Sequence, residues 1–151
     1  MERQVPYRVL VIDDQRLIRQ YLELFLKRAG YEVLVAADGQ AGIERLQSDR
    51  VDLVLTDLKM PVLDGFAVLR YVRESPSPVP VVLMTAYGSP GVEKEALRLG
   101  AFAYLAKPFT LSQLEQTLTR ALEVIAHPVT QAGPGREPEP GVQDTPPGPK
   151  I

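Results

Sequence analysis

The chain has 151 residues, of which 45% are apolar and 24% charged, with a net charge of −2, so it is long enough for one domain with a real core. That balance is ordinary for a soluble globular protein, and it lacks the basic excess that a direct nucleic-acid binder carries. The absence of cysteine excludes disulfides, thiol catalysis and Cys-ligated zinc. The longest apolar runs fall far short of the ~20 residues of a membrane helix, and no apolar signal segment follows Met1, so a cytoplasmic location is expected.

Five strand–helix units are predicted in chain order. Arg8–Ile12 is a continuous apolar strand. Asp14 can cap a helix running to Ala29, with Ile18, Leu22 and Phe25 at helical spacing and Gly30 as its stop. Glu32–Ala36 is the second strand and Gln40–Gln47 the second helix; Asp52–Thr56 is the third strand. The Asp64-Gly65 pair signals a turn into a third helix over Phe66–Arg73. Val81–Thr85 is the fourth strand, followed by a helix with Ser89 as N-cap and Pro90 at its first position. Ala103–Ala106 is a short fifth strand, and Thr110 with Gln113 forms a capping-box pattern at the start of the last helix.

The composition changes near position 128. Seven of the 14 prolines and four of the 11 glycines lie in Pro128–Ile151, a segment that cannot bury a core. The expected organisation is therefore one domain over residues 5–127 and a Pro/Gly-rich disordered tail or linker over 128–151.

Strands that are apolar on both faces and alternate with helices belong to a buried, doubly wound parallel sheet. In such sheets the site lies at the carboxyl ends of the strands. Asp13 and Asp14 follow the first strand, Asp57 the third and Lys107 the fifth, and Thr85 ends the fourth. Three converging carboxylates repel one another, by roughly 4 kcal/mol per pair at ~4 Å and an effective dielectric of 20, and should hold a cation or raise a pKa. An all-oxygen donor set with open positions suits Mg²⁺. A carboxylate is also a nucleophile toward phosphorus, and phosphoryl transfer needs mainly positioning and charge neutralisation, which Lys107 and Thr85 are placed to supply.

In Val11-Ile12-Asp13-Asp14, Thr56-Asp57-Leu58-Lys59-Met60-Pro61, Asp64-Gly65, Met84-Thr85-Ala86 and Ala106-Lys107-Pro108-Phe109, the chain resembles the receiver domains of bacterial response regulators in two-component signalling. The resemblance spans Val9 to Ile125. It implies a flavodoxin-like five-stranded parallel sheet of order 2-1-3-4-5 with five helices. It also implies a phosphoacceptor at Asp57, with Mg²⁺ held by Asp13, Asp14, Asp57 and the backbone carbonyl of Lys59. Thr85 and Tyr104 would be a switch pair: phosphorylation draws Thr85 toward the phosphate, Tyr104 turns inward, and the surface of the fourth helix, fifth strand and fifth helix changes. The Lys107–Pro108 bond is commonly cis in this family. The phosphoryl donor would be a sensor histidine kinase or a histidine phosphotransfer protein, and the sole histidine, His127, is not expected to act. The implied protein is a signalling protein that catalyses only its own phosphorylation and dephosphorylation, neither binds nucleic acid directly nor enters membranes, and is open to a phosphorylation-dependent homodimer. A stand-alone regulator is expected, with a leaning toward enhancer-type transcription regulators and the single-domain phosphorelay intermediates of sporulation. Lys59 and Tyr87 are expected to influence access of water.

Other readings attach to the same residues. Asp14 alone reads equally well as a helix cap, and Asp64-Gly65 is structural rather than catalytic. A metal-dependent aspartyl phosphatase of the haloacid-dehalogenase kind also sets an Asp after a parallel strand, but typically needs a second Asp two residues on, where Lys59 stands. A pseudo-receiver that never carries phosphate would take up none.

Overall fold

A computed structural model describes residues 5–126 of the chain. Ten elements follow in order: β1 (Arg8–Ile12), α1 (Arg16–Arg28), β2 (Glu32–Ala36), α2 (Gly39–Ser48), β3 (Leu53–Asp57), α3 (Gly65–Arg73), β4 (Val81–Thr85), α4 (Pro90–Arg98), β5 (Ala103–Ala106) and α5 (Leu111–Ala126). The five strands form one parallel sheet of order β2-β1-β3-β4-β5. The chain divides into two compact units, Met1–Lys107 and Pro108–Ile151. The first carries the sheet and α1 to α4.

The central strands have to be apolar on both sides because both of their faces are covered. Leu10, Ile12, Val54, Val81 and Leu83 join one cluster with Val68, Leu69 and Val72 of α3 and Ala96 of α4. The alternate residues Val9, Val11, Leu53, Leu55, Val82 and Met84 are equally buried on the opposite face. Helix α1 packs on β1 and β2 and buries Leu22 and Leu26, four residues apart and hence on one side of the helix. Fully burying side chains of this size stabilises the fold by ~1.5–3 kcal/mol each.

The helix ends follow their chemistry in most places. Asp38, Asp64 and Ser89 cap α2, α3 and α4 by accepting from the N–H groups of Ala41, Ala67 and Val92. Pro90 stands at the start of α4, where a missing N–H costs nothing. In the second unit, Thr110 and Gln113 make the reciprocal pair the sequence suggests: each backbone N–H donates to the other side chain, at 2.8 and 3.0 Å. Helix α5 buries Leu114, Leu118, Ala121 and Leu122 along one stripe.

Two expectations are corrected. The first helix is not capped by Asp14: its N-cap is Gln15, without a side-chain bond, and Asp13 instead accepts from the Gln15 N–H at 2.9 Å. Either acid can bridge to a nearby N–H, and the buried one does so here. The third strand is shifted by one residue, so that Asp57 is its last residue rather than the first beyond it. The ladder with β4 continues one more step, pairing Asp57 with Met84. His127 and the segment 128–151 lie outside the described residues.

Candidate functional site at the carboxyl edge of the sheet

Strand register builds the site. β1 and β3 pair in parallel up to Ile12 opposite Thr56, so the next step sets Asp13 beside Asp57, at the ~4.8 Å spacing of neighbouring strands. β4 and β5 end with Thr85 opposite Ala106, which brings Lys107 out beside them. Backbone bonds carry the ladder past the strand ends: the N–H of Asp13 donates to Ala36, that of Leu58 to Met84 and that of Lys107 to Thr85. The chemistry-bearing side chains thus stand on backbone pinned by the sheet.

The carboxylates of Asp13, Asp14 and Asp57 converge, with one oxygen of each within 4.8 Å of the others. Asp13 is fully buried, Asp57 nearly so and Asp14 exposed. The Lys107 ammonium donates to Asp13 at 3.0 Å and lies 3.7 Å from Asp57. Three carboxylates facing one ammonium leave two negative charges uncompensated. Asp57 accepts a hydrogen bond from the Leu58 N–H at 3.0 Å. Burial pushes its pKa from the ordinary 3.8 up to about 6; Lys107 and the Leu58 N–H pull it down, and the charges of Asp13 and Asp14 push it further up.

This donor set fits a small hard cation. All the ligands are oxygens, and in an octahedron with ~2.1 Å bonds the ligands lie ~3 to ~4.2 Å apart, which the cluster can meet with small side-chain rotations. The exposed Asp14 leaves one side open to water and substrate. Lys59 stands two residues past Asp57, at the start of the β3–α3 loop, its ammonium 5.5 Å above the ring of Tyr87.

Thr85 is fully buried, and its hydroxyl oxygen accepts from the Tyr87 N–H at 3.0 Å. Its own hydroxyl hydrogen remains free to donate, because a hydroxyl accepts and donates at once. Tyr104 lies on the same face of the sheet as Thr85, since it pairs with Leu83 two residues earlier. Its ring packs against the cluster of α3 and α4, and its hydroxyl is buried without a hydrogen-bond partner among the described residues. Burial raises its pKa.

Asp64 and Gly65 stand where the chain turns into α3. Asp64 caps α3, and the Gly65 N–H donates to Leu58 at 2.8 Å. A Cβ on Gly65 would lie 2.6 Å from the Asp57 carbonyl oxygen and 2.9 Å from the Leu58 Cα, so only glycine lets α3 start directly under the acceptor strand. Pro108 follows Lys107 at the start of the second unit. Among the residues that sequence reasoning missed, Arg19 of α1 donates to the Asp13 carbonyl at 2.7 Å and steadies that strand end. A long, flexible side chain gives no pattern by which to find such a bond.

Comparison with known proteins agrees with this geometry. Residues 9–119 match the response regulator receiver domain family. Regulatory protein AtoC of Escherichia coli is 37% identical over 117 residues, covering 78% of this chain and 25% of the relative. Sporulation initiation phosphotransferase F of Bacillus subtilis is 33% identical over 115 residues, covering 76% and 93%. The chain spans between a quarter and a half of the length of several other curated relatives it matches. A receiver domain protein of Clostridium thermocellum superposes with a TM-score of 0.76 at 31% identity, covering 82% of this chain and 99% of that one. The chemotaxis response regulator CheY4 of Vibrio cholerae gives 0.72 at 36% identity, covering 78% and 99%. No helix among the described residues is long and apolar enough to cross a membrane. With its 2-1-3-4-5 sheet, its carboxylate cluster and these matches, the chain belongs to the response regulator receiver domains of two-component signalling.

Proposed function

We propose that Asp57 accepts a phosphoryl group from a phosphohistidine of a sensor histidine kinase or histidine phosphotransfer protein, and that Thr85 and Tyr104 turn its arrival into a change of surface. The observation that carries this reading is the buried carboxylate of Asp57 beside Asp13, Asp14 and Lys107, with its backbone fixed by the sheet. An ionised Asp57 needs no general base to attack phosphorus. A carboxylate oxygen forms the new P–O bond while the bond from phosphorus to the donor nitrogen breaks, and the electron pair leaves with that nitrogen. The Lys107 ammonium keeps hydrogens to offer a phosphoryl oxygen while it bonds Asp13. Asp13, Asp14, Asp57 and the backbone carbonyl of Lys59 would hold Mg²⁺. When bound, Mg²⁺ would supply the positive charge that the cluster lacks and that the phosphoryl oxygens require.

The Thr85 hydroxyl can donate to the phosphoryl group without losing the Tyr87 N–H it accepts from. Movement of Thr85 therefore pulls the β4–α4 loop with it. We propose that this loop relays the signal to Tyr104 and to the elements expected to meet a downstream partner, α4, β5 and α5. The proposed receiver domain covers residues 5–127, with 128–151 as a tail or linker, and a phosphorylation-dependent homodimer is one form the output can take. The pseudo-receiver reading is disfavoured because the acidic set, Thr85 and Lys107 are all present, and the phosphatase reading because Lys59 occupies the position of the second acid.

Amide NMR spectra with acetyl phosphate test the switch. In Mg²⁺ the signals of Thr85, the β4–α4 loop and β5 should move; chelating the metal should abolish the shifts. Thr85→Ala should still take up phosphate within a few-fold of the wild-type rate but leave β5 unmoved. Normal β5 shifts in Thr85→Ala would contradict the coupling.

A further inference from the structure

The Asp13–Asp14 peptide lies between the end of a strand ladder and an uncapped helix. β1 is in register with β2 and β3 as far as Ile12, and α1 starts at Arg16 after an N-cap, Gln15, that makes no side-chain bond. In that gap the Asp13 N–H donates to Ala36 at 3.2 Å, and the Asp13 carbonyl accepts from the Arg19 guanidinium at 2.7 Å. Arg19 is half-buried and fixed in the first turn of α1, where its N–H donates to Gln15 at 3.0 Å. Glu23, four residues on and the natural helix partner of this guanidinium, pairs instead with Lys27 at 2.9 Å.

We propose that Arg19 is a positioning residue for Mg²⁺: its bond to the Asp13 carbonyl sets the direction in which Asp14 presents its carboxylate to the cation. This inference rests on the reading of Asp13, Asp14 and Asp57 as a Mg²⁺ site, and adds a residue outside that set. A peptide unit is planar, so a carbonyl held at one end fixes the Asp14 N–H and Cα at the other. Asp13 needs no such help, because its two carboxylate oxygens are held by Lys107 at 3.0 Å and by the Gln15 N–H at 2.9 Å. The exposed Asp14 side chain has no such hold among the described residues, so its backbone aims it. Position and charge act in opposite directions here. Arg19 adds a positive charge beside an acidic cluster, which by itself repels a cation. Its removal strengthens Mg²⁺ binding if charge is what it contributes, and weakens it if position is.

Mg²⁺ titrations of the full chain, followed by amide NMR shifts, separate the two. Arg19→Met keeps an unbranched side chain and loses the donor. It should raise the Kd for Mg²⁺ about 10-fold, the low end of what losing a ligand's outer partner costs. Arg19→Lys keeps a donor and should recover most of that affinity. Phosphate uptake from acetyl phosphate by Arg19→Met should slow at low Mg²⁺ and return to the wild-type rate at saturating Mg²⁺, a rescue that general damage to the fold would not show. Unchanged or tighter Mg²⁺ binding by Arg19→Met would overturn the proposal. If Arg19→Met fails to fold, Arg19→Gln, polar but shorter, takes its place: weaker Mg²⁺ binding supports the proposal, and equal or tighter binding overturns it. If the wild type binds no Mg²⁺, the metal reading falls and this proposal with it; if the wild type binds Mg²⁺ and Arg19→Met binds it equally well, this proposal alone falls.

Discussion

Asp57 sits in conflict with its surroundings. Burial and two neighbouring carboxylates oppose its charge, and one ammonium at 3.7 Å only partly compensates. A pKa raised from 3.8 to about 6 means that the folded protein holds this proton more tightly than the unfolded chain does. The stability this contributes is fully present below about 3.8 and is lost as pH rises through about 6. Metal-free protein should therefore lose up to ~3 kcal/mol from this group between pH ~4 and ~7. Asp57→Asn should flatten that loss and stabilise the metal-free fold at neutral pH; urea midpoints at several pH values check it, and an unchanged pH slope in the mutant would refute it. We propose that the Lys59–Tyr87 contact, 5.5 Å from ammonium to ring centre, hinders attacking water. A cation–π contact of ~0.5–1 kcal/mol corresponds to roughly 2- to 5-fold in rate. Tyr87→Ala should shorten the lifetime of the phosphate by about that factor, read from the decay of the phosphorylated mass; an unaltered lifetime would remove Tyr87 from that role.

Single elements show what sequence patterns convey and what they hide. The strands were legible because a parallel sheet covered on both sides demands unbroken apolar runs, as in Val9–Ile12 and Val81–Met84. The last strand residue was not, because Thr56-Asp57 reads as a polar stop while the ladder still has a step to make opposite Met84. The caps at Ser89 and Thr110 were legible from short-range chemistry; the choice between Asp13 and Asp14 at α1 was not, because burial settles it. The β3–α3 loop holds a feature that no pattern signals. Val62 has a φ of 70° while the Leu63 N–H donates across it to Pro61 at 2.8 Å, forming the strained, positive-φ γ-turn, and the side chain is 96% exposed and gains no packing in return. Val62→Gly should raise stability by ~0.5–1 kcal/mol, the relief of a β-branched residue at positive φ less the added freedom of the unfolded chain. Denaturant midpoints measure this, and a destabilised variant would contradict it. Gly65→Ala should act the other way: it meets backbone that cannot swing aside, so it should cost ~1–3 kcal/mol and slow phosphorylation together.

Across the molecule, local sequence nominated candidate residues one by one, and topology determined how they meet. Asp13 and Asp57 are 44 positions apart and Asp57 and Lys107 another 50, yet the order β2-β1-β3-β4-β5 sets the ends of β1 and β3 side by side and that of β5 one strand further on, at the same edge of the sheet. That order could be inferred from the sequence only through family resemblance, since hydrophobic periodicity identifies strands without ordering them. The Arg19 bond was invisible for a related reason: it depends on contact across elements. The central claim is that Asp57 accepts phosphate. Intact mass after incubation with Mg²⁺ and acetyl phosphate, with Asp57→Asn alongside, tests it most directly. The account predicts a gain of one phosphoryl group by the wild type and none by the mutant. An equal gain by both, or no gain by the wild type even when a phosphohistidine donor is supplied, would contradict it.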